Sequence, residues 1–140
     1  MSTAAPLTGI TEESIGLLID RFYTAIRLDP VLANVFNAAI ADEKWPEHLR
    51  KMRSFWSSVM LGSGRYSGNP VSVHRGVAGL ERPMFAHWLA LFETTAAELF
   101  APAQAALFVD KAHRIAGSLQ IAVFHRLGAP PDGLTPGAKM

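Results

Sequence analysis

From Trp45 to His74 the chain reads WPEHLRKMRSFWSSVMLGSGRYSGNPVSVH: an aromatic-rich amphipathic segment, a glycine-punctuated loop and a short turn carrying a second histidine. Trp45, His48, Leu49, Met52, Phe55, Trp56, Val59 and Met60 form a broad apolar stripe at helical spacing, with His48, Met52, Phe55 and Val59 along one line of it. Gly62, Gly64, Gly68 and Pro70 then break regular structure. Asn69-Pro70 reads as the N-cap and first-turn pair of a very short helix over VSVHRG, which Gly76 ends. Such a stretch can set His48 and His74 facing each other across a cavity, with the rest of the chain as walls. Taken singly, a histidine on an apolar face is more often a hydrogen-bonded core residue than a ligand, and one on a turn faces solvent. Val71, Val73 and Val77 argue for a partly buried turn at His74.

The flanking segments are helical too. Thr11, followed by Glu12 and Glu13, is placed to cap a helix whose apolar positions Ile15, Leu18, Ile19, Phe22 and Ile26 recur until Asp29-Pro30. Tyr23 falls on the same stripe, so its hydroxyl needs a partner, a backbone carbonyl in the ordinary case. Pro30 is placed to open a single turn that sets Phe36 at the edge of the core, and Asp42 to cap the next helix. Pro83 opens a helix carrying Phe85, Trp88, Leu89, Phe92, Ala96 and Leu99 to about Ala101-Pro102. The last helix, with Phe108, Ala112, Ile115, Leu119, Ala122 and Val123, runs on to Gly128 before Pro130 and Pro131. No strand-like alternation or repeat is visible. The expectation is one all-α domain over residues 11–128, with a flexible leader at 1–10 and a disordered tail at 129–140.

Composition narrows the function. At 140 residues the chain has the size of a single domain, and its 49% apolar content suits a large core or an additional apolar cavity. The net charge of +1 gives no reason to expect nucleic acid or an anionic membrane as partner. Lys44, Arg50, Lys51 and Arg53 form the one basic cluster. Without cysteine there are no disulfides, iron–sulfur clusters or thioether-linked haem, which leaves histidine as the main soft ligand. The N-terminus lacks the pattern of a signal peptide, and no apolar run approaches the roughly 18 residues of a membrane span. The chain therefore reads as soluble and cytoplasmic.

A haem requires a flat apolar slot, an imidazole for the iron and cationic or polar groups for its propionates. His74 can reach an iron, Phe22, Phe36, Phe55, Trp56 and Phe92 are available as walls, and Lys51, Arg65 and Tyr66 could meet propionates at the mouth. Tyr23, His48 and Trp88 come from three helices and can all donate hydrogen bonds, which in a low-dielectric pocket stabilise a diatomic ligand that gathers negative charge.

Phe22-Tyr23, Trp45 and His48, Phe55-Trp56, the loop LGSGRYSGNP, His74 and Trp88, taken together, resemble the third group of truncated haemoglobins, the small bacterial globins with a shortened helical sandwich. The resemblance spans about residues 11 to 127. It implies a two-over-two helical sandwich and non-covalent haem b, with His74 as proximal ligand, Tyr23 and Trp88 as distal ligand-stabilising residues, His48 as distal histidine and Phe36 packed against the haem. The expected function is binding of oxygen and other diatomic ligands, nitric oxide and carbon monoxide, by a monomer. A donor-rich pocket suits redox chemistry such as nitric oxide dioxygenation or a peroxidase-like reaction, served by a separate reductase. Whether the protein is an enzyme stays open. The alternative is a metal-free all-α ligand-sensing or interaction module in which the aromatic stripes are only core. A histidine zinc hydrolase is disfavoured by the absence of an HExxH pair.

Overall fold

The computed structural model describes residues 5–77 and 79–124, so the reading of Gly128 as the last helix's stop and of 129–140 as a tail lies outside the described residues. Among the described residues six α-helices follow one another: α1 Glu12–Leu28, α2 Ala33–Ala39, α3 Trp45–Leu61, α4 Pro70–Arg75, α5 Pro83–Leu99 and α6 Pro102–Phe124, with a 3-10 turn at Asp42–Lys44. No strand is formed among the described residues. An isolated bridge pairs Leu7 with Phe100. Leu7 N–H donates to the Leu99 carbonyl at 2.8 Å, and its own carbonyl accepts from Ala101 N–H at 2.9 Å. Part of the stretch read as leader is thereby tied to the corner between α5 and α6.

The helices begin where side chains satisfy their first amides. Thr11 accepts from Ser14 N–H while the Ser14 hydroxyl oxygen accepts from Thr11 N–H, a reciprocal cap for α1. Asn69 accepts from Ser72 N–H and caps α4, with Pro70 in its first turn. Pro30 opens the single turn expected of it: the Asp29 carboxylate accepts from Val31 and Leu32 N–H at 2.9 Å and fixes residues 30–32, and α2 follows from Ala33 with Phe36 packed at the edge of the core. One expected start differs. Asp42 does not cap α3: it pairs with Arg27 at 3.0 Å within the 3-10 turn, and α3 has no side-chain cap.

Packing makes two helix pairs laid on one another, α1 with α3 and α5 with α6, joined where α1 crosses α5; α4 rests on α6. The junction is the core. Ile15, Leu18, Ile19, Phe22 and Ile26 of α1 are completely buried, as are Phe92 and Ala96 of α5 and Phe108 and Ala112 of α6. Trp56 stacks on Phe92 at 5.0 Å, and Phe92 stacks on Trp88 at 5.5 Å. Burial of each such ring is worth about 1.5–3 kcal/mol, so this stack braces the meeting point of α3 and α5. The rest of the α3 stripe, Leu49, Met52, Phe55, Val59 and Met60, is only partly buried against the core. No helix among the described residues is long and apolar enough to cross a membrane.

Candidate functional site

The half-buried face of α3, the loop 62–69, α4 and the start of α5 surround a cavity of about 930 Å³. That is near the upper end of the range typical of cofactor pockets. Tyr23, Phe36, His48, Lys51, Phe55, Trp56, Arg65, Tyr66, His74 and Trp88 all border it. Phe22 and Phe92, expected as walls, do not. They are fully buried one layer behind, where Phe22 meets Tyr23, Trp88 and Phe92 edge-on at 5.0–5.3 Å. Spacing places Phe22 and Tyr23 on one stripe, but only packing decides which of two neighbours reaches a cavity.

His74 is half-buried on α4, and its Nδ1 lies 2.6 Å from the Pro70 carbonyl one turn back. A carbonyl can only accept, so Nδ1 carries the proton and Nε2 keeps its lone pair for a metal or a donor. Val73 beside it is 63% exposed yet borders the same cavity, so the turn offers an apolar surface as well as the imidazole.

Tyr23, Trp88 and His48, from three other helices, border the cavity with polar atoms that have no protein partner among the described residues. Tyr23 makes no hydrogen bond through its hydroxyl among the described residues, contrary to the ordinary core tyrosine, and burial pushes its phenol well above the usual range, so it remains a donor. The Trp88 indole N–H is likewise unbonded. His48 Nε2 is buried without a partner, and the His48 ring meets Tyr23 edge-on at 5.2 Å. Burial, then the Lys51 ammonium, then His74, push His48 down to about 4, so it is neutral at pH 7 with one donor and one acceptor nitrogen. Orphaned polar atoms in an apolar cavity are costly unless a ligand satisfies them.

At the mouth, Lys51 Nζ lies 3.5 Å from the Glu47 carboxylate and Arg65 Nε 3.6 Å from Glu12. These exposed pairs are weak and can exchange for another carboxylate. The basic cluster does not act as a unit, since Arg53 turns to Asp20 on α1 at 2.7 Å. A smaller hollow of about 330 Å³, bordered by Lys44, Glu47 and Lys51, adjoins the cavity at His48. Val35, Leu80, Met84, Phe85, Ile115 and Leu119 are among the other apolar residues of the lining. The helical periodicity marked Phe85, Ile115 and Leu119 as buried, whereas nothing in the local pattern singled out Val35 or Leu80.

Among the described residues no three His, Cys, Asp or Glu side chains converge as a metal cluster. The His74 imidazole with its Nε2 free, unpartnered donors on other helices and cations at the rim of a largely apolar cavity instead fit a planar carboxylate-bearing group with one open coordination position.

Comparison with known proteins points the same way. The group 3 truncated hemoglobin ctb of Campylobacter jejuni is 34% identical over 113 residues, which is 79% of this chain and 89% of that relative. The crystal structure of a group III truncated hemoglobin from Campylobacter jejuni superposes with a TM-score of 0.78 at 33% identity, covering 83% of this chain and 93% of that one. No family model matches the chain.

Proposed function

The chain belongs to the group III truncated haemoglobins, a globin family, and from that premise we propose that it holds haem b non-covalently through His74 and binds oxygen, nitric oxide and carbon monoxide. One observation carries the reading: the Nδ1–H of His74 is engaged by the Pro70 carbonyl, leaving Nε2 available at a cavity where Tyr23, His48 and Trp88 have polar atoms without protein partners. When bound, the haem would supply an iron able to take a diatomic ligand reversibly.

The chain's own residues do the rest. The Pro70 carbonyl orients His74 and raises the basicity of its free nitrogen without adding a full negative charge. Phe36, Phe55, Trp56 and Val73 exclude water from the slot, while Lys51, Arg65 and Tyr66 are placed to receive propionates. The protonated Tyr23, the neutral His48 and the Trp88 indole present donors to a ligand that gathers negative charge. Donors of this kind act mainly by slowing ligand release. Tight retention suits oxidative chemistry on nitric oxide or peroxide better than transport, with electrons from a separate reductase. The absence of cysteine from the chain supports non-covalent attachment.

The test is an absorption spectrum after reconstitution with one equivalent of haemin, ferric and then dithionite-reduced with and without carbon monoxide. A sharp Soret band and a ferrous carbonyl spectrum of histidine-ligated haem are expected. A broad free-haemin band with no rise in melting temperature would leave a metal-free helical module.

A further inference from the structure

The loop 62–69 supplies Arg65, Tyr66 and Gly68 to the cavity and leads directly into α4, which presents His74. Neither has much core of its own: α4 contains no fully buried residue, and within the loop only Tyr66 is even half-buried. Besides the weak, exposed pair of Arg65 with Glu12, what holds the loop down is a set of hydroxyls on α3. Ser57 is completely buried, and its Oγ donates to Glu12 Oε2 on α1 at 2.7 Å. That bond uses the only proton on Ser57 Oγ, so at the 2.6 Å contact with Ser63 Oγ the donor is Ser63. The result is a directed chain, from the Ser63 hydroxyl to Ser57 and from the Ser57 hydroxyl to the Glu12 carboxylate, running from the loop to the first turn of α1. Next to it, the Ser58 hydroxyl accepts from Tyr66 N–H at 2.9 Å, and the Tyr66 ring meets Phe55 edge-on at 5.1 Å. Gly62 and Gly64, at φ of 66° and 71°, put the backbone on either side of Ser63 in the left-handed region, which turns the chain back onto α3.

We infer that the Ser63–Ser57–Glu12 chain is a latch that fixes the cavity-facing loop and the start of α4, and that it sets how long the protein retains its haem. Glu12, Ser57 and Ser63 are positioning residues: none of the three borders the cavity, and they act through Arg65, Tyr66 and the backbone leading to His74. The inference rests on the haem reading. It adds the point that retention is set by a hydroxyl relay outside the pocket as well as by the groups in it.

The experiment follows transfer of haemin from the reconstituted protein to an excess of a haem-scavenging apoglobin, for wild type, Ser57→Ala, Ser63→Ala, the double variant and Thr95→Val. Thr95 is the control, a buried hydroxyl that donates to the Leu91 carbonyl of its own helix and has no tie to the loop. A bond to a carboxylate is worth roughly a tenfold change or more in an equilibrium, so haem loss about tenfold faster is expected for Ser57→Ala, somewhat less for Ser63→Ala, and wild-type loss for Thr95→Val. Because both serines act in one chain, the double variant should release haem no faster than Ser57→Ala. Ser63 is exposed, so its variant tests the latch even if loss of the buried Ser57 hydroxyl disturbs folding. Wild-type release in both serine variants, multiplied effects in the double variant, or equal acceleration by Thr95→Val would overturn the latch while wild type still shows its Soret band. A wild type that forms no Soret band would overturn the haem reading and the latch with it.

Discussion

At His48, burial, the Lys51 ammonium and His74 all push in one direction, and the imidazole titrates near pH 4 instead of its ordinary 6.5. Between those values the unfolded chain binds more protons at this position than the folded one, so the group's effect on stability is most favourable above 6.5 and is lost as the pH falls toward 4. The apo-protein of a His48→Gln variant should therefore show a flatter decline in urea midpoint across that window than wild type. Parallel curves would mean that the imidazole titrates freely. Neighbouring Tyr23 makes a second prediction. Tyr23→Phe removes a buried donor and little volume, so oxygen should leave the reconstituted protein faster, by about 10- to 150-fold if the bond has the strength of a charge-assisted one. An oxygen off-rate equal to or below that of wild type would show that the phenol does not hold the ligand. Residue identity was the most legible level of the site: the types at positions 23, 48, 74 and 88 suggest donors and a ligand before any fold is drawn. It failed between neighbours, as with Phe22 and Tyr23, whose separation into a buried layer and a cavity wall depends on how α5 packs.

Among the elements, the long helices were written plainly by periodicity and the corners were not. Asp29-Pro30 marked the end of α1, but the carboxylate's actual duties join three elements: it accepts from the Val31 and Leu32 amides and from His87 Nε2 of α5 at 2.8–2.9 Å. No spacing rule pairs residues 29 and 87, which are brought together only by the crossing of α1 and α5. Burial tends to raise the Asp29 carboxyl, and the hydrogen bonds from His87, Leu32 and Val31 overcome that and hold it below its ordinary value. The stabilisation is thus fully present above about pH 4 and is lost as the pH falls through the lowered folded value. Asp29→Ala should destabilise the protein by about 1–2 kcal/mol at neutral pH, the order of losing a charged acceptor shared by two turn amides and an imidazole, and the difference from wild type should shrink in acid. Thermal melts of the two proteins over pH 2–7 check this; a constant difference throughout would show that the carboxylate's charge does not matter. Asp42 illustrates the same blindness: an acid before a helix looks like a cap, but Arg27, which also sits over the Trp45 ring at 4.5 Å, takes it into an ion pair.

Over the whole molecule, stability is unevenly placed. The junction of α1, α5 and α6 contains most of the fully buried residues, whereas α2 and α4, which close the cavity, have none. The sequence hinted at this division through a high apolar fraction in a short chain, but it could not say that the surplus apolar surface lines a cavity near 930 Å³. A group bound only to the folded state stabilises it by about 4 kcal/mol at a free concentration a thousand times its dissociation constant. That gain should concentrate where the chain lacks a core of its own. In hydrogen exchange, the apo-protein should protect α1, α5 and α6 strongly and leave α2, the loop 62–69 and α4 fast, because segments with few buried contacts open without global unfolding. Adding haemin should slow exchange most in α4 and the loop, and the slowing in α4 should be smaller in His74→Gly, which lacks the imidazole proposed to hold the iron, and partly restored by added imidazole. Equal slowing in wild type and His74→Gly would show that α4 is ordered by apolar contact alone and would move the search for the iron ligand away from His74. Uniform slowing across all six helices would mean that the cavity walls and the core fold as one unit, and that the apparent division between them has no energetic counterpart.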